Sequence, residues 1–199
     1  MKKYTLVALP EKQTLGKLNA VRTYLYTNGF RYQNNLPKND VHITLAELAT
    51  EEAELPALRT ELQNILEKIH PFGISYDHVT NKIHPASEKY PNGSAWIALY
   101  FKENRLRDLA QLLDLHLISK DISTTKEYVA ALGINPEENL YSNIANHMNL
   151  CNYARVEKAQ EAKDYVEQNA PKSFVIDKVA LRDDVGSIIW SITLTNINR

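Results

Sequence analysis

Two stretches of the chain, LVALPEKQTLGKL from Leu6 to Leu18 and IALYFKENRLRDL from Ile97 to Leu109, align without a gap at an offset of 91 residues. The alignment superposes Leu15 on Leu106 and Leu18 on Leu109, so an apolar strand followed by an amphipathic helix occurs twice. A chain that repeats itself after about half its length is predicted to fold as two similar lobes, approximately 1–93 and 94–199, within a single domain over 1–199. In the first half, KYTLVALP reads as a strand stopped by Pro10, and the next helix ends at Asn28 and Gly29. VHITLAEL is a second strand, after which Thr50 is placed to cap a helix carrying Leu55, Leu58, Leu62, Ile65, Leu66 and Ile69 on one face. FGISYDHVT and SAWIALYF then read as strands separated by the turn-rich NKIHPASEKYPNG.

The repeat predicts a counterpart of VHITLAEL after the second helix, and NHMNLCNY at 146–153 fits. His147 follows His42 by 105 residues, fourteen more than the offset of 91, and the stretch near 116–145 accommodates the insertion. RVEKAQEAKDYVEQN, SFVIDKVAL and SIIWSITL complete the second half, the last echoing GSAWIALY so that Trp190 corresponds to Trp96 in the repeat. The fold class expected is α+β: two pseudo-symmetric lobes of antiparallel-rich sheet with outer helices around a central cleft.

Strand alternation puts His42 and Thr44 on one face and Val41, Ile43 and Leu45 on the other. His147 and Asn149 stand in the same relation on the second strand. Pseudo-twofold packing would bring the two histidines together across the cleft. Two imidazoles titrating near neutrality suit a reaction in which one removes a proton and the other donates one. In phosphodiester cleavage the neutral ring would activate water or a hydroxyl and the protonated ring would serve the leaving oxygen. Thr44 and Asn149 would then donate to the non-bridging phosphate oxygens.

Those residues resemble the two-histidine (2H) phosphoesterase superfamily, which includes bacterial RNA 2′,5′-ligase and cyclic phosphodiesterase relatives and is marked by two His-x-Thr/Ser motifs. HITL from His42 to Leu45 matches the first motif in full; TLVALP resembles the opening strand and WIALYF the mid-chain strand. The second motif, HMNL, departs from the pattern, with Asn149 where Thr or Ser would stand and Asn146 in place of a frequent proline. The resemblance implies hydrolysis or transesterification of 2′,3′-cyclic phosphates, 2′,5′-linked oligonucleotides or cyclic nucleotides, with no metal and no cofactor. The alternative readings are a nucleotide-binding or sequestering protein with weakened turnover, and an interaction module using residues 116–145.

Charge narrows the partners. With 23 Lys and Arg against 24 Asp and Glu, the formal net charge is −1, unlike a protein that grips long nucleic acid through its phosphates. A nucleotide, a cyclic nucleotide or a short RNA is the expected ligand. The single cysteine, Cys151, precludes an internal disulfide and suits a reducing, cytoplasmic setting; no apolar run approaches a membrane span. Cys151 lies too far along its strand to form a dyad with His147 and is expected to pack as a small apolar residue. His116 falls on the Leu109, Leu112 and Leu113 face of its helix, His70 at a helix end, and His78 and His84 beside a turn. No His-Glu-x-x-His spacing suggests zinc. Trp96, Tyr4 and Trp190 have faces on which a base could stack, and Arg155 and Arg182 stand near strand ends where they could meet a flanking phosphate.

Overall fold

The computed structural model describes residues 1–32, 39–138 and 140–195. The first half of the chain runs β1 (Lys2–Pro10), α1 (Lys12–Thr27), β2 (Ile43–Thr50), α2 (Leu55–Leu66), β3 (Phe72–Ser75) and β4 (His78–His84). The second runs β5 (Ser94–Tyr100), α3 (Asn104–Ser119), the short α4 (Thr125–Ala131) and α5 (Leu140–Ile144), β6 (His147–Ala154), α6 (Ala159–Asn169), β7 (Ser173–Asp183) and β8 (Ile188–Thr193). The described strands form one antiparallel sheet in the order β3-β7-β1-β2-β6-β5-β4, with β8 also pairing with β7. The architecture is α+β. None of the described helices is long and apolar enough to cross a membrane.

The duplication is visible residue by residue in the ladders. Beside β1, Leu6, Val7 and Ala8 pair with Ala46, Thr44 and Ile43. Moving β1 by 91 residues and β2 by 105 turns these into Ile97 with Cys151, Ala98 with Asn149 and Leu99 with Met148, which are the pairs observed. Even the irregularity repeats: Leu45 in β2 and Leu150 in β6 are the extra residues of matching β-bulges. The halves of the sheet meet where Ile43 pairs with Met148, a pair that the same shift carries onto itself.

The lobes also exchange strands. β7, from the second half, lies beside β1, while β4, from the first half, lies beside β5. One face of the sheet carries the main core: Leu18 and Leu25 of α1, Leu58 and Leu62 of α2, Leu106 and Leu113 of α3 and Val166 of α6 pack with Leu6, Ile43, Ile97 and Met148. Deleting a leucine side chain from such a position costs about 2–5 kcal/mol. Val7, Leu9 and Ala180 form a separate small cluster on the opposite face. The motif residues lie on that second face.

Three sequence expectations change. Thr50 is not a helix cap: it ends β2, its hydroxyl bonds the Glu54 carboxylate, and a short 3-10 turn at Glu52–Glu54 precedes α2. FGISYDHVT is two strands, because Phe72–Ser75 pairs with β7 whereas the chain from His78 pairs with β5 through to His84. Residues 116–119 belong to α3 and not to an insertion. The added chain is anchored instead by an extended segment against β2, where Thr124 N–H donates to Glu47 O at 2.9 Å and Ala49 N–H to Ile122 O at 2.9 Å. The buried Asp114 carboxylate holds it from below, accepting bonds from Ser123, Thr125 and Tyr141. Asn139, within the same stretch, lies outside the described residues.

Candidate functional site

The register at the lobe junction determines which motif residues meet. With Ile43 opposite Met148 in an antiparallel pair, one step either way sets His42 opposite Asn149 and Thr44 opposite His147. Directly opposed residues share a face, so all four project on the same side, with the histidines on one diagonal at a spacing of roughly 7–8 Å. All four are half-buried, while the alternating Ile43, Leu45, Met148 and Leu150 are buried. The polar pair in each strand is thus the cleft face of a strand whose other face is core.

Each imidazole has one nitrogen committed. His42 Nδ1–H donates to the Asp40 carbonyl at 2.9 Å, which leaves Nε2 as the ring's acceptor. Arg182 Nη1 sits beside the ring between both nitrogens, 2.8 Å from Nδ1 and 2.9 Å from Nε2, and with Nδ1 protonated Nε2 is the nitrogen that can accept from it. His147 Nδ1–H donates to Asn146 Oδ1 at 2.7 Å, and Asn146 Nδ2–H donates to the Tyr100 hydroxyl at 2.6 Å. Tyr100 stands opposite His147 on β5, and Trp96, on the same strand face, meets the ring edge to face at 4.8 Å between centroids. Fixing both Nδ1 protons leaves Nε2 as the acceptor nitrogen of each ring.

Burial dominates the electrostatics. It pushes His42 down to about 4, helped by the Arg182 guanidinium and, more weakly, by Arg22 and His147. Burial alone pushes His147 down to about 4. Both rings are therefore neutral near pH 7 until a negative charge enters the cleft. Arg182 itself is only 7% exposed and, among the described residues, makes no ion pair; its Nε–H donates to Gly186 O at 3.1 Å. Burial lowers the affinity of its guanidinium for the proton, and the carboxylates of Asp183, Asp40 and Glu47 act against that from a distance. Arg22, 8% exposed and bonded to Asn39 and Asn19, adds positive charge on the same side.

No family model matches the chain, and no curated protein matches it. Solved structures do. The chain is similar to E. coli LigT complexed with 3′-AMP (13% identity, 98% of each chain covered, TM-score 0.48). It is likewise similar to E. coli LigT complexed with phosphate (11%, 98% of each, 0.45). Kluyveromyces marxianus Usb1 is a further match at 10% identity, 98% of this chain and 97% of that one, with a TM-score of 0.46. The chemistry at the cleft rests on this chain's own side chains.

Two of those side chains come from the bulges. Extra residues in β2 and β6 reset the alternation, so that Glu47 and Asn152, three positions beyond Thr44 and Asn149, return to the cleft face. A regular strand would have turned them into the core. The signal was present as consecutive apolar residues, Leu45-Ala46 and Leu150-Cys151, at the same place in both motifs. Glu47 accepts from Thr5 Oγ1 at 3.0 Å, and burial pushes its carboxyl up to about 7 against the pull of Thr5, Lys3 and Arg182.

The other singled-out residues separate cleanly. Tyr4 and Trp190 are core. Arg155 binds the Arg31 carbonyl at 3.2 Å and faces the Tyr32 ring, away from the histidines. Cys151 is fully buried on the core side of β6, and burial pushes its thiol up to about 12, which rules out a nucleophilic thiolate near neutrality. His116 bonds Glu61 at 3.0 Å, and His70 the Thr195 carbonyl at 3.0 Å. His78 pairs with Asp77 at 2.8 Å. Among the described residues no three His, Cys, Asp or Glu side chains are grouped to hold a metal ion.

Proposed function

We propose that the protein cleaves a cyclic or 2′,5′-linked phosphodiester of an RNA-derived or cyclic nucleotide, with His42 and His147 as its acid and base. The observation supporting this reading is the Ile43–Met148 pair, from whose register His42 and His147 fall on one diagonal and Thr44 and Asn149 on the other, a spacing that one phosphate could bridge. One Nε2 takes the proton of the attacking water or hydroxyl as its oxygen bonds phosphorus. The other, protonated, gives its proton to the ester oxygen as the phosphorus–oxygen bond breaks. Thr44 Oγ1–H and Asn149 Nδ2–H donate to the non-bridging oxygens, and the Arg182 guanidinium exchanges His42 for the phosphate, where charge develops. That exchange also frees His42 Nε2. The incoming negative charge raises whichever ring becomes the acid. Two imidazoles and a guanidinium thereby supply both proton transfers and charge stabilisation, and a cytoplasmic location suits the free thiol.

The test is turnover in EDTA of 2′,3′-cyclic, 2′,5′-linked and cyclic oligonucleotide substrates by the wild type, His42→Ala and His147→Ala. Product formation abolished in both variants supports the reading; full activity in either one sinks it. A second reading, nucleotide sequestration, is favoured by one observation: in the free protein Arg182 Nη1 lies against the His42 ring, 2.8 Å from Nδ1 and 2.9 Å from Nε2. Tight binding of the same compounds without product would establish it.

A further inference from the structure

Beyond the histidines, the cleft opens into a cavity of about 750 Å³ between the β4–β5 hairpin, β6 and α4. Trp96, whose ring meets His147, and Asn149 both line it, so the cavity begins beside the two motif strands. No Asp or Glu stands among its described lining residues, whereas Lys89 does; Glu88, next in the chain, is exposed and outside the lining. Lys89 Nζ lies 5.5 Å from the centroid of the Tyr90 ring and 5.7 Å from that of Tyr153, two rings that stack on each other at 5.0 Å. Among the described residues its ammonium has no ion pair or hydrogen bond. Asn149 and Asn152 add to the polar wall. Each buries its Oδ1 in the protein, so the Nδ2 donors, unbonded among the described residues, are what these side chains leave open. Aromatic faces, N–H donors and one cation suit an acceptor-rich anion.

The duplication makes this character specific to one lobe. The shift of 105 residues that relates β2 to β6 carries Glu47 onto Asn152, the residue that each bulge returns to the cleft face, and the shift of 91 carries Thr5 onto Trp96. In the first lobe that place holds a carboxyl, bonded to Thr5 Oγ1 at 3.0 Å and repelling a phosphate once ionised. In the second it holds a neutral amide, with an indole in place of the threonine and Lys89 in the same cavity. The backbone is shared and the charge is not. Tyr153, next after Asn152, is held at φ 59°, a left-handed conformation that a bulky residue adopts rarely, and its ring is one of the two that flank Lys89. Asn152 lies three residues beyond Asn149, at most about 10 Å along β6, a span that one ribose with a phosphate at each end can cover.

We propose that this cavity is a subsite for a second phosphate of the substrate, one nucleoside away from the scissile one and held by the Lys89 ammonium and the Asn152 amide. The scissile phosphate lies among His42, Thr44, His147 and Asn149. The attached nucleoside passes along Trp96, which supplies a face for its base, and the phosphate on the far side of its ribose meets Lys89 Nζ and Asn152 Nδ2–H. Glu47 closes the corresponding place in the first lobe to an anion, so the substrate has one orientation in the cleft. The class selected is a nucleotide with phosphate on both sides of its ribose, as in an oligonucleotide, in preference to a mononucleoside cyclic phosphate. This inference names the substrate class for the phosphodiesterase reading and rests on it for the position of the first phosphate.

Its test is calorimetric titration in EDTA, independent of turnover, with adenosine 3′-monophosphate, adenosine 3′,5′-bisphosphate and adenosine 5′-diphosphate. The bisphosphate is expected to bind about tenfold more tightly than the monophosphate, the scale of one charge-assisted hydrogen bond. The diphosphate, whose two phosphates lie on one side of the ribose, should show no such gain. Lys89→Gln, at an exposed position, should remove most of the bisphosphate gain. Asn152→Glu, which gives the second lobe the carboxyl of the first, should erase or reverse it. An equal gain for the diphosphate marks general charge attraction and overturns the subsite, as does the absence of any gain, no binding of any of the three, or an undiminished gain in Lys89→Gln or in folded Asn152→Glu. Turnover without the gain refutes the subsite alone, whereas the gain without turnover refutes the enzymatic reading and leaves the subsite standing.

Discussion

Glu47→Gln isolates the buried carboxyl that the β2 bulge brings to the cleft. Burial carries this group from 4.5 to about 7, so the folded protein holds its proton more tightly than the unfolded chain does. Between those pH values the native state binds more protons, and its stability falls as pH rises through the window. At about 1.4 kcal/mol per tenfold change, the whole effect is about 3 kcal/mol, absent below pH 4.5 and fully developed above pH 7. His42 and His147, pushed down from 6.5 to about 4, act in the opposite sense: their stabilisation of the native state is lost as pH falls from 6.5 towards 4. Wild-type stability alone would show only the net of these slopes, in which the two histidines outweigh the one carboxyl, so the comparison must be between wild type and variant. The substituted amide would keep a carbonyl acceptor for Thr5 while removing the ionisation. Urea unfolding at pH 4.5 and pH 8 is therefore expected to show the variant gaining about 3 kcal/mol on the wild type between the two conditions, or about 6–12 °C in Tm. A stability difference that stays constant from pH 4.5 to 8 would refute the reasoning, because it would mean that the carboxyl ionises as freely in the fold as in water.

Because both cleft imidazoles titrate near 4 in the free protein, kcat/KM is expected to fall about tenfold per pH unit from pH 6 to 8, checked by initial rates on the best substrate. A maximum at or above neutrality would contradict the burial of both rings. Gly186→Ala should destabilise the protein by about 1–3 kcal/mol in thermal unfolding and raise KM: the glycine sits at φ 90°, and a methyl group there meets the Arg182 guanidinium and lies 2.6 Å from Asn39 Nδ2. Asp114→Ala, which strands the hydroxyls of Ser123, Thr125 and Tyr141, is expected to cost about 2–4 kcal/mol by urea unfolding and to loosen the chain from 120 to 145, read by hydrogen exchange at Thr124.

The sequence carried the element order, the duplication and the polar faces of the two histidine strands, because alternation and helical periodicity are local consequences of burial. What it carried less openly was any feature that depends on partner choice. FGISYDHVT has the composition of one strand, yet Phe72 and Val79 lie against different neighbours, β7 and β5, and nothing within the segment says so. Arg182 is one strand-end arginine among several until β7 is placed beside β1. Glu47 and Asn152 fall on the wrong parity unless the paired apolar residues before them are read as bulges. Thr50 has the chemistry of a cap and spends it on a side-chain bond to Glu54.

The exchange of strands between the lobes has a consequence for how the protein comes into being. A nascent chain that has emerged only as far as β6 already holds both histidines, yet β1 then has an open edge and no guanidinium to meet His42. Completion waits for β7, and a chain cut short before Ser173 would present a sticky margin where the folded molecule has a closed seam.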